Sequence, residues 1–106
     1  MFVATCDLTY QEISATRCYI SGVLHLKSLQ QLHIAEFVAL EPSVTRLKYR
    51  YHLQSHDGVL VARWDNAPHH PQIATFPDHK HVAAGGIEPS PPMDLSAVLA
   101  EIPGLI

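Results

Sequence analysis

The sequence has 106 residues, of which 47% are hydrophobic and 16% are charged, which suits one small domain over residues 1–106 and excludes a second catalytic domain. Seven Lys and Arg against ten Asp and Glu give a net charge of -3, which argues against binding to DNA or RNA by bulk charge. Any nucleic-acid contact therefore requires a local basic patch. Eight histidines outnumber the Lys and Arg residues, so the charge of the protein depends strongly on pH.

The cysteines and the apolar runs bear on the cellular compartment. Cys6 and Cys18 lie in no CxxC spacing, so neither a disulfide framework nor a cysteine-based zinc cluster is indicated. The sequence shows no basic leader before a long apolar run and no window near the roughly 18 apolar residues of a membrane span. We therefore expect a cytoplasmic protein with reduced thiols and no membrane contact.

The first half of the chain predicts strands. Residues 10–15 fit a helical turn or a strand equally well, and the predicted sheet begins at about residue 15. Residues 19–26 and 32–40 are rich in β-branched and aromatic side chains around a short connection, which indicates a hairpin. Strict alternation over residues 44–54 predicts the clearest strand.

A hairpin turn at Asp57-Gly58 sets the register of the next strand. The pairs that this register makes opposite are Gln54 with Val61, His52 with Arg63, Arg50 with Asp65, and Tyr51 with Trp64. One face of the two strands is then apolar and predicted to be core: Leu47, Tyr49, Tyr51, Leu53, Leu60, Ala62 and Trp64. The other face is basic: Arg46, Lys48, Arg50, His52 and Arg63.

The second half of the chain predicts a loop and then a helix. Repeated prolines and Gly85-Gly86 make residues 67–92 a His/Pro-rich loop, and the prolines favour a loop held in one shape. Asp94 is placed to cap a helix over residues 94–102, which Pro103-Gly104 ends. The predicted fold class is α+β, an antiparallel meander of about four to six strands over residues 15–66 with a short C-terminal helix. We expect a homodimer through a sheet edge or the apolar face.

Three interpretations of the polar residues remain open. Surface loops often carry His and Pro for no chemical reason, and the basic face can be a solvated surface with ion pairs such as Arg50 with Asp65. A metal site would take its donors from the histidines of the loop and from one carboxylate: His69, His70, His79, His81 and either Asp65 or Asp78. No HExxH motif or cysteine donor supports this metal site.

The third interpretation is attack on RNA without a metal or other cofactor, in which a 2′-hydroxyl displaces its own phosphodiester with help from a base, an acid and cations. The acid and base candidates are His52, His69, His70, His79 and His81. The candidate phosphate-binding residues are Arg46, Lys48, Arg50, Arg63 and Lys80. The supporting candidates are Asp65, Asn66 and Glu36, an acidic residue on an otherwise apolar strand face that suits a buried partner for Arg or His.

A family resemblance rests on three stretches of this sequence. They are Tyr49-Arg50-Tyr51-His52-Leu53-Gln54, Arg63-Trp64-Asp65-Asn66-Ala67-Pro68-His69-His70-Pro71 and Phe76-Pro77-Asp78-His79-Lys80-His81-Val82. Together with Asp57-Gly58 they resemble the TumE family of toxins from bacterial toxin-antitoxin pairs, over residues 24–102. The resemblance implies a cognate antitoxin with a DNA-binding helix-turn-helix, and inhibition of growth through RNA or translation. Such proteins commonly begin with a longer helical segment than the 13 or so residues that precede the predicted sheet here.

We therefore expect a TumE-like toxin that acts on RNA or translation, with a metal-independent endoribonuclease as one form of that activity. One alternative is a non-enzymatic dimeric protein that binds a partner or a nucleic acid. Variants that lose binding without losing any turnover would identify this alternative. A metal-dependent hydrolase is the other alternative, and sensitivity to a chelator would identify it.

Overall fold

The computed structural model describes residues 2–106 as one antiparallel sheet with a short helix on one face. Seven strands pair in the order of the sequence, each with the next. Their bounds are β1 Val3–Ser14, β2 Arg17–Leu26, β3 Gln31–Ala39, β4 Thr45–Gln54, β5 Leu60–Asp65, β6 His79–Val82 and β7 Ile87–Pro89. Helix α1 spans Leu95–Glu101, and a 3-10 turn follows over Ile102–Gly104.

This α+β meander confirms the predicted fold class, and it extends the sheet at both ends. β1 lies before the predicted start of the sheet, and it includes most of residues 10–15, for which a helical turn and a strand were both open. Its side chains are almost all exposed, so it lacks the apolar alternation that marks a strand. β6 and β7 lie inside the predicted loop over residues 67–92 and bring the count to seven. They are too short for a recognisable pattern, and Pro89 is tolerated because β7 is an edge strand.

The hydrophobic core lies between the sheet and the C-terminal segment that contains α1. Trp64, Tyr51 and Leu53 are fully buried on the sheet, and Val98 and Ile102 cover them from the C-terminal segment. The helix begins as predicted, because the Asp94 side chain accepts a hydrogen bond of 2.8 Å from the backbone N–H of Ala97. We call the side of the sheet that carries Tyr51 and Trp64 the core face.

The predicted pairing of β4 with β5 is confirmed for three pairs and wrong for one. Arg50 lies opposite Asp65, Tyr51 opposite Trp64, and His52 opposite Arg63. Gln54 lies opposite Leu60 rather than Val61, because the register shifts beyond Leu53 and Val61 becomes the extra residue. The predicted core residue Leu60 is accordingly only half-buried.

A second shift, between β3 and β4, overturns the predicted faces of two residues. Lys48 lies opposite Phe37 and Arg46 opposite Val38, so Leu47 is the extra residue in β4. A shift of one residue moves a side chain to the other face of a sheet. Leu47 is therefore 41% exposed rather than core, and Arg46 leaves the basic face to approach the buried Glu36, with Nε 3.4 Å from Oε1.

Candidate functional site

Polar side chains form two adjacent rows across the side of the sheet opposite the core face, which we call the open face. The first row runs across β3 to β6 in direct register: His33, His52, Arg63 and His81. The second row lies two residues away along each strand: Ala35, Arg50, Asp65 and His79. Because side chains alternate along a strand, all of these residues except Ala35 bring polar groups to one face. His33 was not among the predicted site residues.

His52 and Arg63 form a directed contact within the first row. Arg63 donates from Nε to Nδ1 of His52 at 3.0 Å, so His52 accepts through a nitrogen without a proton. Burial lowers the pKa of His52 below its ordinary value, and the nearby Arg63 cation and the His33 ring add to this effect. His52 is therefore held in the neutral form, which is the form that a general base requires.

Asp65 and His79 form a buried pair in the second row. Their Oδ1 and Nε2 atoms are 3.0 Å apart, and both side chains are less than a tenth exposed. Asp65 Oδ1 also accepts from the backbone N–H of Ala67 at 3.0 Å, and Oδ2 lies 3.4 Å from Nε2 of His81. His79 Nδ1 lies 2.9 Å from the carbonyl oxygen of Pro77, so both of its ring nitrogens are engaged.

His81 lies beside the Asp65 carboxylate, as His79 does, but its side chain is more exposed than that of His79. Burial lowers the pKa of His81, the Asp65 carboxylate acts in the opposite direction, and the His79 ring lowers it further. The neutral form of His81 is therefore favoured.

Residues 66–78, which connect β5 to β6, contribute to the site through their histidines. Successive backbone turns order this segment, with Ile73 bonded to His70 at 3.1 Å and Phe76 to Ile73 at 3.0 Å. The His70 ring packs against the rings of His79 and His81, with centroids 4.9 and 5.7 Å away. His69 is exposed and lines a groove that is described below. The adjacent residues His69 and His70 therefore have different environments.

Asn66 fixes the place where the 66–78 segment leaves the sheet. Its Oδ1 accepts from the backbone N–H of Tyr49 at 2.9 Å, and its Nδ2 donates to the carbonyl of Leu47 at 3.1 Å. The side chain thus pairs with β4 beside the extra residue Leu47, where regular strand pairing is interrupted. Asn66 therefore holds the β4 backbone in place.

A groove of about 740 Å³ lies along the open face beside the two rows. Its walls carry three aromatic side chains that the sequence analysis did not single out, Tyr19, Phe37 and Phe76, next to the cations Lys48 and Arg50. Tyr19 lies opposite Phe37, and Phe37 lies opposite Lys48, so they form a third row on the same face. The alternation of residues 19–26 and 32–40 could have placed Tyr19 and Phe37 on one face of the sheet. The alternation alone did not show that this face lacks a covering helix.

A smaller depression of about 200 Å³ adjoins the groove. It is lined by His33, Arg50, His52, Gln54 and Arg63. Arg50 lines both cavities and is exposed, so one guanidinium lies between the aromatic groove and His52.

Besides Arg46, two more predicted site residues, Lys80 and Glu36, lie on the core face. Lys80 follows His79 by one residue and therefore points the other way, with Nζ 5.3 Å from the centre of the Trp64 ring and 3.3 Å from Glu101 Oε1. Glu36 is buried and accepts a hydrogen bond of 2.6 Å from the Tyr51 hydroxyl. Burial, followed by the Glu36 carboxylate, raises the pKa of Tyr51. These contacts separate Lys80 and Glu36 from the cluster on the open face.

Comparison with protein families gives a match to the family model described as toxin TumE over residues 2–106. The chain belongs to the TumE toxin family. The match spans essentially the whole chain, which exceeds the 24–102 range of the resemblance in the sequence. This TumE-family protein is thus a toxin of a toxin-antitoxin system, and membership implies a cognate antitoxin partner. Comparison of the TumE-family chain with curated proteins and with solved structures gives no match.

Over residues 2–106, the structure contains no helix that is long and apolar enough to cross a membrane.

Proposed function

We propose that this TumE-family toxin binds single-stranded RNA along the open face and cleaves it. The observation that carries the proposal is the groove in which Tyr19, Phe37 and Phe76 lie beside Lys48 and Arg50. Proteins that bind single strands combine aromatic side chains, on which bases stack, with cations that follow the phosphates. The groove provides both kinds of side chain on one surface.

The charge distribution supports a local interface rather than binding by bulk charge. The net charge is -3, yet Lys48, Arg50 and Arg63 share the open face. Arg46 and Lys80 lie opposite them and are paired with Glu36 and Glu101. The proposed interface is therefore short, with few phosphates bound at once.

The chemistry that these groups support is transfer within the RNA phosphodiester. His52 takes the proton of the 2′-hydroxyl, the 2′-oxygen forms a bond to phosphorus, and the bond from phosphorus to the 5′-oxygen breaks. His69, exposed on the groove, donates a proton to the departing 5′-oxygen. The products are a 2′,3′-cyclic phosphate and a 5′-hydroxyl, so atoms and charges balance.

Arginine supplies the electrostatic part of this mechanism. Arg50 lines both the cavity that carries His69 and the one that carries His52, which supports a role for its guanidinium in binding the phosphate. Arg63 bonds to His52 Nδ1 through a single N–H in the structure. When its guanidinium turns toward a phosphate oxygen, Nδ1 becomes free to act as the base. Both cations then face the negative charge that develops on the phosphate oxygens.

The proposal is tested with purified protein and end-labelled single-stranded RNA. We expect cleavage by the unmodified protein, and a loss of about 10²- to 10⁴-fold in rate in His52→Ala and in His69→Ala. His56→Ala is the matched control, because His56 is exposed in the turn between β4 and β5. This variant should cleave the RNA at the rate of the unmodified protein. Circular dichroism checks that each variant is folded.

Two results would contradict this mechanism. RNA that is bound but never cleaved would identify a non-enzymatic RNA-binding protein, which is the main alternative. A folded His52→Ala variant with full activity would show that the base lies elsewhere on the chain.

A further inference from the structure

We infer that His70, His79 and His81 form a binding site for one divalent transition-metal ion of the zinc class, with Asp65 as the oxygen donor. The ligand nitrogens of the three histidines lie within 4.8 Å of one another. His79 and His81 are two residues apart on β6 and so share the open face, while His70 approaches from the 66–78 segment. The site thus joins a strand to a loop.

The spacing of the donor atoms supports tetrahedral coordination. Zinc lies about 2.0–2.1 Å from nitrogen or oxygen ligands, which places neighbouring ligand atoms of a tetrahedron about 3.3 Å apart. Asp65 Oδ1 lies 3.0 Å from His79 Nε2, and Oδ2 lies 3.4 Å from His81 Nε2. The Asp65 carboxylate therefore already lies about one ligand–ligand distance from both imidazoles, through a different oxygen to each. Coordination of one ion through a single Asp65 oxygen requires a rotation of this carboxylate, together with a rotation of the half-buried His70 side chain.

The surroundings of His79 supply an independent indication of a metal site. Its Nδ1 lies 2.9 Å from the carbonyl oxygen of Pro77, and the side chain is only 2% exposed. Metal-binding histidines usually donate their second N–H to a carbonyl or carboxylate, which fixes the ring and points the other nitrogen at the ion. In His79 that other nitrogen is Nε2, which faces Asp65 and the neighbouring histidines.

The donor types select the class of ion. Imidazole nitrogen suits zinc, copper, nickel and iron, whereas magnesium and calcium take mainly oxygen ligands. Three imidazoles and one carboxylate therefore favour a zinc-like ion.

Such an ion would fasten the 66–78 segment to β6. The same segment carries His69 and Phe76, which line the groove. Only this link between the ion and the groove rests on the proposed function, because ion binding requires no RNA.

The test measures metal binding by the untagged full chain, since a histidine tag would bind the same ions. Protein freed of metal with EDTA and then dialysed is titrated with Zn²⁺ by calorimetry, and with Co²⁺ by visible absorption. We expect one ion per chain and the intense visible bands of tetrahedral Co²⁺. His70→Ala should weaken binding at least about tenfold, and Asp65→Asn should do so as well. His69→Ala is the matched control, because the His69 side chain lines the groove and not the proposed metal site. This variant should bind Zn²⁺ as tightly as the unmodified protein does.

Several results would overturn the site. The unmodified protein could fail to bind Zn²⁺ at micromolar concentrations, or folded His70→Ala could bind as tightly as His69→Ala. An octahedral Co²⁺ spectrum from the unmodified protein would equally exclude the proposed ligand set, and this measurement needs no variant to fold. None of these readouts involves RNA, so loss of the metal site and loss of the proposed RNA cleavage are distinguishable.

Discussion

Arg63 donates a hydrogen bond to Nδ1 of His52 across β4 and β5, with the two nitrogens 3.0 Å apart. A permanent cation thus lies against an imidazole on a face that is predicted to bind phosphate. The contact lowers the pKa of His52 in addition to the effect of burial. The free energy of unfolding therefore depends on this pair of residues, and so does the RNA cleavage that we propose.

The lowered pKa of His52 predicts the pH dependence of stability. An unfolded histidine has a pKa of about 6.5, so below that pH the unfolded state binds more protons than the folded state does. The free energy of unfolding should therefore rise with pH up to about 6.5 and then level off for this group. Urea unfolding at several pH values from about 5 to 7.5 measures the slope.

The contribution of His52 can be separated from that of His81, whose pKa is also lowered. His52→Asn removes the titrating group but keeps an oxygen that can accept from Arg63. We expect this variant to retain a shallower slope. An unchanged slope would show that His52 does not titrate differently in the folded and unfolded states.

The separation of Arg50 from Lys80 predicts a contrast in RNA affinity. Arg50→Ala removes an exposed cation from the open face, so it should weaken binding and reduce the dependence of log affinity on log salt by about 0.7. Lys80→Ala should leave both quantities unchanged, because its ammonium group lies near Trp64 and Glu101 on the core face. Fluorescence anisotropy with a labelled RNA measures the affinity of both variants. An equal loss of affinity in the two variants would contradict an interface that lies on the open face alone.

Phe76 tests the stacking role of the groove. Phe76 is 45% exposed, so Phe76→Ala should cost little stability and weaken RNA binding by about 1–3 kcal/mol, the usual contribution of one stacked base. Val59→Ala is the control, because Val59 is 61% exposed in the turn between β4 and β5. Affinity is measured by anisotropy and stability by urea unfolding. Equal affinity of the two variants for RNA would exclude stacking on Phe76.

Trp64 tests the packing of the core face. Trp64 is fully buried, and Lys80 and α1 lie over the same face. Trp64→Ala should lower the free energy of unfolding by about 3–5 kcal/mol. Trp64→Phe retains most of the apolar volume and should lower it less. A loss below about 1 kcal/mol in urea unfolding of Trp64→Ala would contradict this packing.

The alternation of residues 44–54 and the Asp57-Gly58 turn were enough to predict the face that carries Arg50, His52 and Arg63. Those signals are local, since a tight turn sets the register of the strands on either side. The predicted face of Arg46 was wrong because Leu47 is an extra residue in β4. Such a bulge depends on the pairing with the partner strand β3 rather than on the sequence of β4 alone.

The cluster of His70, His79 and His81 was only partly predictable. The sequence placed these histidines near one another along the chain, and it offered a metal site as one interpretation. It did not show that residues 79–82 form a strand, because four residues carry too short an alternation. The aromatic groove depends on which sheet face α1 leaves uncovered, which is a property of the whole fold.

The ends of the RNA products test the central claim most directly. RNA incubated with the unmodified protein is analysed by mass spectrometry, alongside the same RNA with 2′-deoxy nucleotides at the cleavage positions. The proposed mechanism predicts fragments with 2′,3′-cyclic phosphate and 5′-hydroxyl ends, and no cleavage at the 2′-deoxy positions. Fragments with 5′-phosphate ends, cleavage at the 2′-deoxy positions, or RNA that stays intact would contradict it.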